Sequence, residues 1–434
     1  MEVMVLVDPV STGAVMADIA SSRGFKVLVL WSKMCSPGSG PGAVIQGTYE
    51  AVEEQASIPA TIKAIRDTLR RVPSSATKIS ACIPGFETGV MLSNLVSLHL
   101  GLLPHGSGNA PFKGGDRQNK HVQQKALEKF GLRTVREVFG YTWEDVEDRL
   151  RNLGLPIVVK PVQSGGNDGV KLCQSLQEVE EHFSHLCNTK RKLQSSSAGI
   201  LLQEFLVGQE YIVDHVSRNG VHKTVMTWVS ERQAANGGDF VYLATRPLQA
   251  KDCPSEVISY VRAVLDALQI RNGATHSEVK MTPHGPCLVE VNLRMMGANG
   301  AYVSLARLLT GTSHPDATLD SLNPELFDAL PDVPRDFKTS GLIVSLVSYS
   351  FGIVASTPGF DRMKKLASFL ELHTSISYGS AVKPSVDAFT MAGYLVLAGS
   401  CEQIREDVAQ VRRFEKEGLF CFADERQRCF SGGP

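Results

Sequence analysis

The chain has 434 residues, 43% of them hydrophobic, and a formal net charge of −1. That length predicts two or three domains with substantial cores, and the near-neutral balance argues against a dedicated binder of nucleic acid or of a membrane surface. The nine cysteines are scattered with no CxxC spacing, so neither a zinc site nor a disulfide framework is indicated, and a reducing, cytoplasmic setting is expected. The start Met1-Glu-Val-Met-Val-Leu-Val-Asp8 carries an acid at its second residue and only a short apolar run, unlike a secretory leader. No stretch reaches the roughly 18–20 apolar residues that a bilayer crossing needs. Gly341–Val354 comes nearest and is broken by Ser345, Ser348, Tyr349 and Ser350.

Val3–Val7 reads as an apolar strand, and Asp8-Pro-Val-Ser-Thr-Gly13 as a polar turn that caps a helix over Ala14–Ser22. Gly24 ends that helix, and Lys26–Trp31 forms a second strand. A Gly/Pro-rich loop around Cys35–Gly47 follows, then a helix near Ala56–Arg71 and a strand at Lys78–Ile83. This strand runs into Pro84-Gly-Phe-Glu87-Thr-Gly89, ahead of a helix from Val90 to Leu100. Alternating strands and helices imply a parallel sheet with covered faces, and ligands of such sheets sit beyond the carboxyl ends of strands. Asp8–Gly13 and Gly85–Gly89 both occupy such ends, although neither matches the dinucleotide fingerprint. Gly106-Ser-Gly108 is weaker still and reads as an ordinary turn.

Asp116 is the expected cap of a helix over Gln118–Phe130, with Lys120 near its start, where a lysine facing a cleft meets phosphate. Most lysines are merely solvated. Pro156-Ile-Val-Val-Lys160-Pro161 closes an apolar strand with a lysine, and a buried lysine needs partners. At once follows Gln163-Ser-Gly-Gly-Asn-Asp-Gly169, in which Ser164, Gly165 and Gly166 suit a tight flap whose backbone N–H groups cradle phosphate oxygens. A hairpin loop beside a snorkelling lysine is the competing account; the order strand-Lys-Pro-loop-strand favours phosphate. The flap lacks the Gly-Lys-Ser/Thr ending of a Walker A loop. Ile200–Glu204 is another apolar strand, ending in the hinge Glu204-Phe205-Leu206, whose backbone groups suit an adenine edge. Glu210 opens the next strand, where a carboxylate accepts from ribose hydroxyls. Hairpin strands Tyr211–Ser217 and Lys223–Ser230, a mobile-looking Gln233–Gly238 segment and helix Pro254–Leu268 complete this region.

Two further strands, Gly273–Met281 and Cys287–Leu293, carry the densest chemistry. Strand side chains alternate faces, so Glu290, Asn292 and Arg294 share one side while Val289, Val291 and Leu293 face a core. If the strands pair, Glu278 joins the polar row. Two carboxylates and an amide beside a cation suit a divalent metal and a transferring phosphate, because hard Mg²⁺ prefers oxygen and takes part of its shell from phosphates. An edge strand with a solvated polar face is the bland alternative.

In this order, Lys120, Lys160 with its flap, Glu204-Phe-Leu, Glu210 and Glu278…Glu290-x-Asn292-x-Arg294 resemble the ATP-grasp enzymes. Thr275-His-Ser-Glu-Val-Lys and Gly-Phe-Glu87-Thr-Gly resemble, within them, the carboxylate–amine ligases that include L-amino-acid (dipeptide) ligases and carnosine-synthase-like enzymes. The resemblance implies an α/β ATP-grasp fold. An N-terminal parallel α/β (Rossmann-like) domain would occupy 1–112, a two-part ATP-binding region 113–330, and a C-terminal α/β subdomain 331–434, with a second strand set and helix Cys401–Glu417 inside Thr339–Phe422. It also implies ATP and Mg²⁺ (or Mn²⁺) as cofactors, with Glu278 and Glu290 on the metal and Asn292 assisting. Lys120 and Lys160 with Ser164–Gly166 would hold phosphates, and Glu204, Phe205, Leu206 and Glu210 the nucleoside. Arg294, always charged and able to bind two oxygens, would stabilise the transferring phosphoryl group and the oxyanion. His276 would contact the intermediate or deprotonate the amine, against the common case of a structural histidine. Glu87, Arg294 and Gly297 would meet substrate, Glu87 through its ammonium, unless it is only a helix N-terminal carboxylate. Met295 and Met296 fall at the implied acceptor pocket, and methionine is adaptable.

The implied partners are small molecules, amino acids or small carboxylic acids. The donor, the acceptor and the oligomeric state stay open, a homodimer among the states. Two rival readings are an ATP-grasp carboxylase or phosphotransferase and a non-catalytic nucleotide-binding protein. No biotin carrier or swivelling phosphohistidine segment supports the first, and the full set of charged residues argues against the second.

Overall fold

The computed structural model describes residues 2–35, 50–71, 78–189 and 199–423; the Cys35–Gly47 loop expected from sequence lies, beyond Cys35 itself, outside them. The N-terminal elements alternate as their hydrophobic runs dictate: β1 (Glu2–Val7), α1 (Thr12–Ser22), β2 (Lys26–Trp31), β3 (Glu50–Glu53), α2 (Ile58–Arg71), β4 (Lys78–Pro84) and α3 (Val90–His99). The strands pair in parallel in the order β3-β2-β1-β4. Val3–Val7 are all fully buried, as befits a central parallel strand covered on both faces. β3 is not expected from sequence, because Glu50-Ala-Val-Glu buries only Val52 and leaves no periodic signal.

The chain continues through α4 (Lys120–Lys129), β5 (Glu137–Gly140), β6 (Ile157–Pro161), β7 (Lys171–Cys173), α5 (Leu176–Asn188) and β8 (Ile200–Glu204). Next come β9 (Gln209–Arg218), β10 (Val221–Ala235), β11 (Gly238–Leu248), α6 (Ser255–Ala267), β12 (Gly273–Thr282) and β13 (Gly285–Asn292). Three helices follow, α7 (Ala301–Thr310), α8 (His314–Asp320) and α9 (Pro324–Ala329). The C-terminal part holds β14 (Ser340–Leu346), β15 (Gly352–Ser356), α10 (Pro358–Met363), β16 (Phe369–His373), β17 (Ala381–Val382), β18 (Gly393–Gly399), α11 (Cys401–Glu417) and β19 (Cys421–Phe422). Among the described residues no helix is long and apolar enough to cross a membrane.

Two compact units interleave along the chain. One comprises Met1–Thr134, Tyr211–Trp228 and Leu248–Phe337, the other Val135–Glu210, Val229–Pro247 and Lys338–Pro434. The first holds the parallel sheet and the strand order β13-β12-β9-β10. Its α1 is buried between the sheet and the helices that follow β13, in a core that includes Met4, Leu6, Met16, Met295 and Val303. The second holds the sheet β5-β8-β6-β7 backed by α5. It also holds the order β10-β11-β14-β18-β16 backed by α11, which buries Ile404, Val411 and Phe414.

Two local expectations are corrected. The cap of α4 is Asn119, whose side chain accepts from the Val122 N–H, so the helix starts at Lys120. Asp116 instead closes a turn, accepting from the Gln118 N–H at 2.9 Å. The Gln233–Gly238 segment is regular: β10 runs to Ala235 and β11 starts at Gly238. Asn236 and Gly237 between them take φ of 53° and 84°, the two-residue Asn-Gly turn whose twist matches that of paired strands.

One ion cluster ties α1, α7 and α8 together. Asp316 accepts two bonds from Arg307, at 2.6 and 2.7 Å, one from Arg23 at 2.8 Å, and one from Ser313. Burial alone would raise the Asp316 carboxyl; Arg307, Ser313 and Arg23 outweigh it and hold it below the ordinary range. Stability from this group is therefore complete above the unfolded aspartate's pKa and is lost as pH falls through the depressed folded value. Asp316→Asn should lower stability at pH 7 by about 1–3 kcal/mol, since Arg307 loses its carboxylate partner while Arg23 keeps Asp320. In urea titrations the gap from wild type should close towards pH 3.

Candidate active site

β12 and β13 form an antiparallel hairpin in which Glu278 lies directly opposite Glu290 and His276 opposite Asn292. The register shifts between Glu278 and Val279, which pairs with Leu288, so Val289 is an extra residue on β13. This bulge corrects the simple alternation read from sequence. Cys287 and Leu288 are fully buried, and Val289 is only half-buried, because a bulge re-aims side chains on the strand that carries it. Beyond the bulge Val291 and Leu293 face the core as expected.

Like charges directly opposed across a strand pair repel, and cations gather at this pair. Lys120, buried at the start of α4, places Nζ 2.6 Å from Glu290 Oε2. Asn292 Nδ2 donates to Glu290 Oε1 at 3.2 Å. His276 Nε2 lies 3.6 Å from Glu278 Oε1. Lys120, expected on phosphate, thus shares the row with the carboxylates. α4 is fixed there by Gln123, which donates to the Val291 carbonyl and accepts from its N–H, and by Gln124, which donates to the Leu288 carbonyl.

Behind the row lies a polar network whose central acid sequence reasoning missed. Asp214 on β9 is fully buried, accepting at Oδ1 from His276 Nδ1 (2.9 Å) and at Oδ2 from Trp228 Nε1 (2.9 Å). Burial alone would push the His276 imidazole down, but its bonds to Asp214 and Glu278 win, and its pKa is pushed up to about 9. His276 is therefore an imidazolium at neutral pH. Burial pushes His314 down instead. Its Nε2 donates to the His215 carbonyl, and its Nδ1 accepts from the Met296 N–H at 3.4 Å. An acid inside the apolar run Tyr-Ile-Val-Asp-His-Val was the available signal, of the same kind that marked Lys160.

Arg294 and Glu87 meet: Arg294 Nε donates to Glu87 Oε2 at 2.7 Å, and NH1 to the Met295 carbonyl at 2.9 Å. Gln118 donates to both Glu87 Oε1 and its carbonyl at 2.8 Å. Glu87 opens a short 3₁₀ turn, Glu87–Gly89. The loop after β1 packs beside it. Asp8 accepts from the Ser32 N–H and hydroxyl and from the Thr88 hydroxyl. A Cβ on Gly13 would fall 2.5 Å from the Gly85 carbonyl oxygen, so only glycine allows this approach. Thr12 donates to the Gly297 carbonyl at 2.8 Å, and the Asn299 N–H to Ser11 Oγ at 2.9 Å. Asp8, Ser11, Ala298 and Asn299 all hold positive φ, a local concentration of strained backbone of the kind found at ligand sites.

The other unit carries the remaining expected residues. Lys160 is buried on β6 and pairs in register with Leu201. Ser164, Gly165 and Gly166 lie in the connection from β6 to β7, an antiparallel pair, so the flap is also a hairpin loop. Gly166 takes φ of 64°, its carbonyl accepts from the Ala388 N–H at 2.9 Å, and a Cβ there would lie 2.7 Å from that of Ala388. Glu204 is committed to Arg136, accepting its N–H at 2.9 Å and its Nε at 2.8 Å. Glu210, 8% exposed, pairs with Arg232, which also donates to Asn167 Oδ1 at 3.0 Å. The Arg232 guanidinium stands over the Tyr242 ring at 4.4 Å. Arg232, which sequence reasoning missed, thereby links the flap to Glu210. Phe205 lies 6.3 Å from Phe240, ring to ring.

Among the described residues no group of three or more His, Cys, Asp or Glu side chains is arranged to hold a metal alone. The opposed Glu278 and Glu290 with Asn292 fit Mg²⁺ in its usual form, few protein carboxylates completed by phosphates.

Residues 153–301 match the family model of the ATP-grasp domain, and the chain has the ATP-grasp fold. The chain is similar to Dapdiamide A synthase of Enterobacter agglomerans, 26% identical over 309 residues that span 69% of this chain and 72% of that protein. It is also similar to alanine–anticapsin ligase of Bacillus subtilis strain 168, at 21% identity over 332 residues, 69% of this chain and 70% of the relative. Its fold matches the crystal structure of L-amino acid ligase from Bacillus licheniformis with a TM-score of 0.74 and 17% identity, over 97% of this chain and 99% of the other.

Stability from the His276–Asp214 pairing is complete below an unfolded histidine's pKa of about 6.5 and is lost as pH rises through about 9. The difference in melting temperature between wild type and Asp214→Asn should be largest at about pH 6 and narrow towards pH 9. NMR titration of His276 should show a lower pKa in the variant.

Proposed function

We propose that this protein is an ATP-dependent carboxylate–amine ligase. The γ-phosphoryl group of ATP passes to a carboxylate, giving an acyl phosphate and ADP. An amine then attacks the acyl carbon, phosphate leaves, and an amide bond remains. The observation that carries this reading is the opposed Glu278/Glu290 pair with Lys120 in the same unit as the Arg294–Glu87 pair, phosphoryl chemistry and amino-acid recognition built around one hairpin and the residues just past it. The named activities of the relatives support it: a synthase, a ligase of alanine and anticapsin, and an L-amino acid ligase.

Glu278, Glu290 and Asn292 would hold Mg²⁺, or Mn²⁺ in its place, which when bound neutralises phosphate charge as it develops. Lys160, the Ser164–Gly166 flap, Glu204-Phe205-Leu206 and Glu210 bind ATP, and Arg232 orders the flap against Glu210. Lys120 adds positive charge beside the phosphates. Arg294, oriented by Glu87, stabilises the phosphoryl group in transfer and the oxyanion of the tetrahedral intermediate, an electrostatic role that preorganised donors fill. His276, held as a cation by Asp214, donates to that intermediate and does not serve as the base. Glu87 receives the substrate ammonium as well as Arg294, since a carboxylate has about four acceptor positions. Gly297 and Met296 border the acceptor. All eight described cysteines are free, in keeping with a reducing cytoplasmic setting.

Glu290→Gln should abolish turnover in a protein that still folds, with a lowered melting temperature because buried Lys120 loses its charged partner. Arg294→Ala should lower kcat by on the order of 10²–10³, and Glu87→Gln should raise the KM of the amino-acid substrate more than that of ATP. The decisive measurement is product release across amino-acid pairs, with ¹⁸O in the donor carboxylate. Label should appear in phosphate beside ADP and a condensed product. Release of AMP and pyrophosphate would mean adenylate activation and sink the mechanism.

A further inference from the structure

A cavity of about 240 Å³ lies in the first unit, between α3 and the segment from Asn109 to Gln118. Its apolar wall is Val90, Met91, Leu95, Pro111, Phe112 and Leu293. Three sets of hydrogen bonds fix its shape. Asn94 Oδ1 accepts from the Asn109 N–H at 2.8 Å. Arg117 donates to the Ala110 and Leu268 carbonyls, and its guanidinium stands 5.1 Å from the Phe112 ring. Gln118, which lines the cavity, donates to Glu87 Oε1. The cavity is thus preformed and adjoins the Glu87–Arg294 pair through Gln118, which lines the one and holds the other.

Size decides what fits. Ligand pockets for whole drug-sized molecules run from about 300 to 1,000 Å³, and this cavity is smaller. A dry cavity of about 150 Å³ is enough for benzene, so a single ring or branched aliphatic group fits and a nucleotide does not. Charge decides whose side chain it is. In amide formation the acceptor amine must lose its proton to attack, while a donor amino acid keeps its ammonium throughout. A carboxylate such as Glu87 therefore recognises the donor.

We infer that this cavity receives the side chain of the donor amino acid, and that the donor is apolar, of leucine, methionine or phenylalanine size. The inference rests on the ligase reading and goes beyond it by assigning the donor's class and its pocket. The donor becomes the N-terminal residue of the product, so fragmentation mass spectrometry of the dipeptide reads it directly.

The test uses the full chain with ATP and pairs of alanine, leucine and phenylalanine, in wild type, Leu95→Trp and Leu95→Ala, with melting curves for each. Filling the cavity with Leu95→Trp should lower the ratio of kcat/KM for leucine or phenylalanine as donor over alanine as donor by on the order of tenfold or more, the discrimination that hydrophobic pockets give. Leu95→Ala, which enlarges it, should raise the phenylalanine-to-alanine ratio, and it keeps the inference testable if the tryptophan variant does not fold. Ratios within about twofold of wild type in the folded variants, or a change in preference confined to the C-terminal residue of the product, would overturn the assignment. Condensation with none of the pairs, together with no ADP release, would instead overturn the ligase reading and this inference with it.

Discussion

Two carboxylates placed face to face across a hairpin, Glu278 and Glu290, are the constraint around which the first unit is organised. Ionised acids so close destabilise the strand pair unless positive charge lies beside them. Lys120 from α4 and His276 from β12 supply it in the protein itself. Each needs support in turn, because a buried cation must be compensated. Glu290 serves Lys120, and Asp214, held by Trp228, serves His276. The polar interior of this unit is thus a chain of dependencies that begins at one register position.

The same logic explains the paired Arg294 and Glu87. In the role proposed for Arg294 the side chain must not swing among rotamers, since preorganisation gives a transition-state donor its effect. Glu87 and the Met295 carbonyl fix two of its nitrogens, and Gln118 fixes Glu87. Strained turns then set the backbone: Ser11 and Asn299 bind one another from positive φ, and Asp8 joins the first loop to Thr88. Residues from four distant stretches of chain therefore meet in one rigid assembly.

In the second unit the flap is ordered by different means. Its carbonyl at Gly166 binds Ala388, its Asn167 side chain binds the Phe240 carbonyl and Arg232, and Leu172 after it binds Asp239. A glycine-rich loop has high entropy to lose on ordering, and these contacts remove it ahead of ligand binding. Glu204 differs: its carboxylate is spent on Arg136, which leaves the backbone of Glu204–Leu206 as the part suited to a base edge.

By itself the sequence determined what depends on local repetition and on rare residue placements. Apolar runs interrupted by Gly and Pro defined the parallel strands, period two put Glu290, Asn292 and Arg294 on one side with Glu278 joining them only if the strands paired, and a lysine closing an apolar strand marked Lys160. Only the tertiary structure decided what depends on separation along the chain. Separations of 207 positions from Glu87 to Arg294 and of 62 from Asp214 to His276 carry no periodic signal, so neither pairing is readable from either segment alone. The bulge at Val289 likewise leaves no mark in composition, because valine suits either face. Arg232 and Gln118 stayed hidden for the same physical reason. A charged or amide side chain is ordinary at the surface, and only its burial beside a particular partner makes it part of a site.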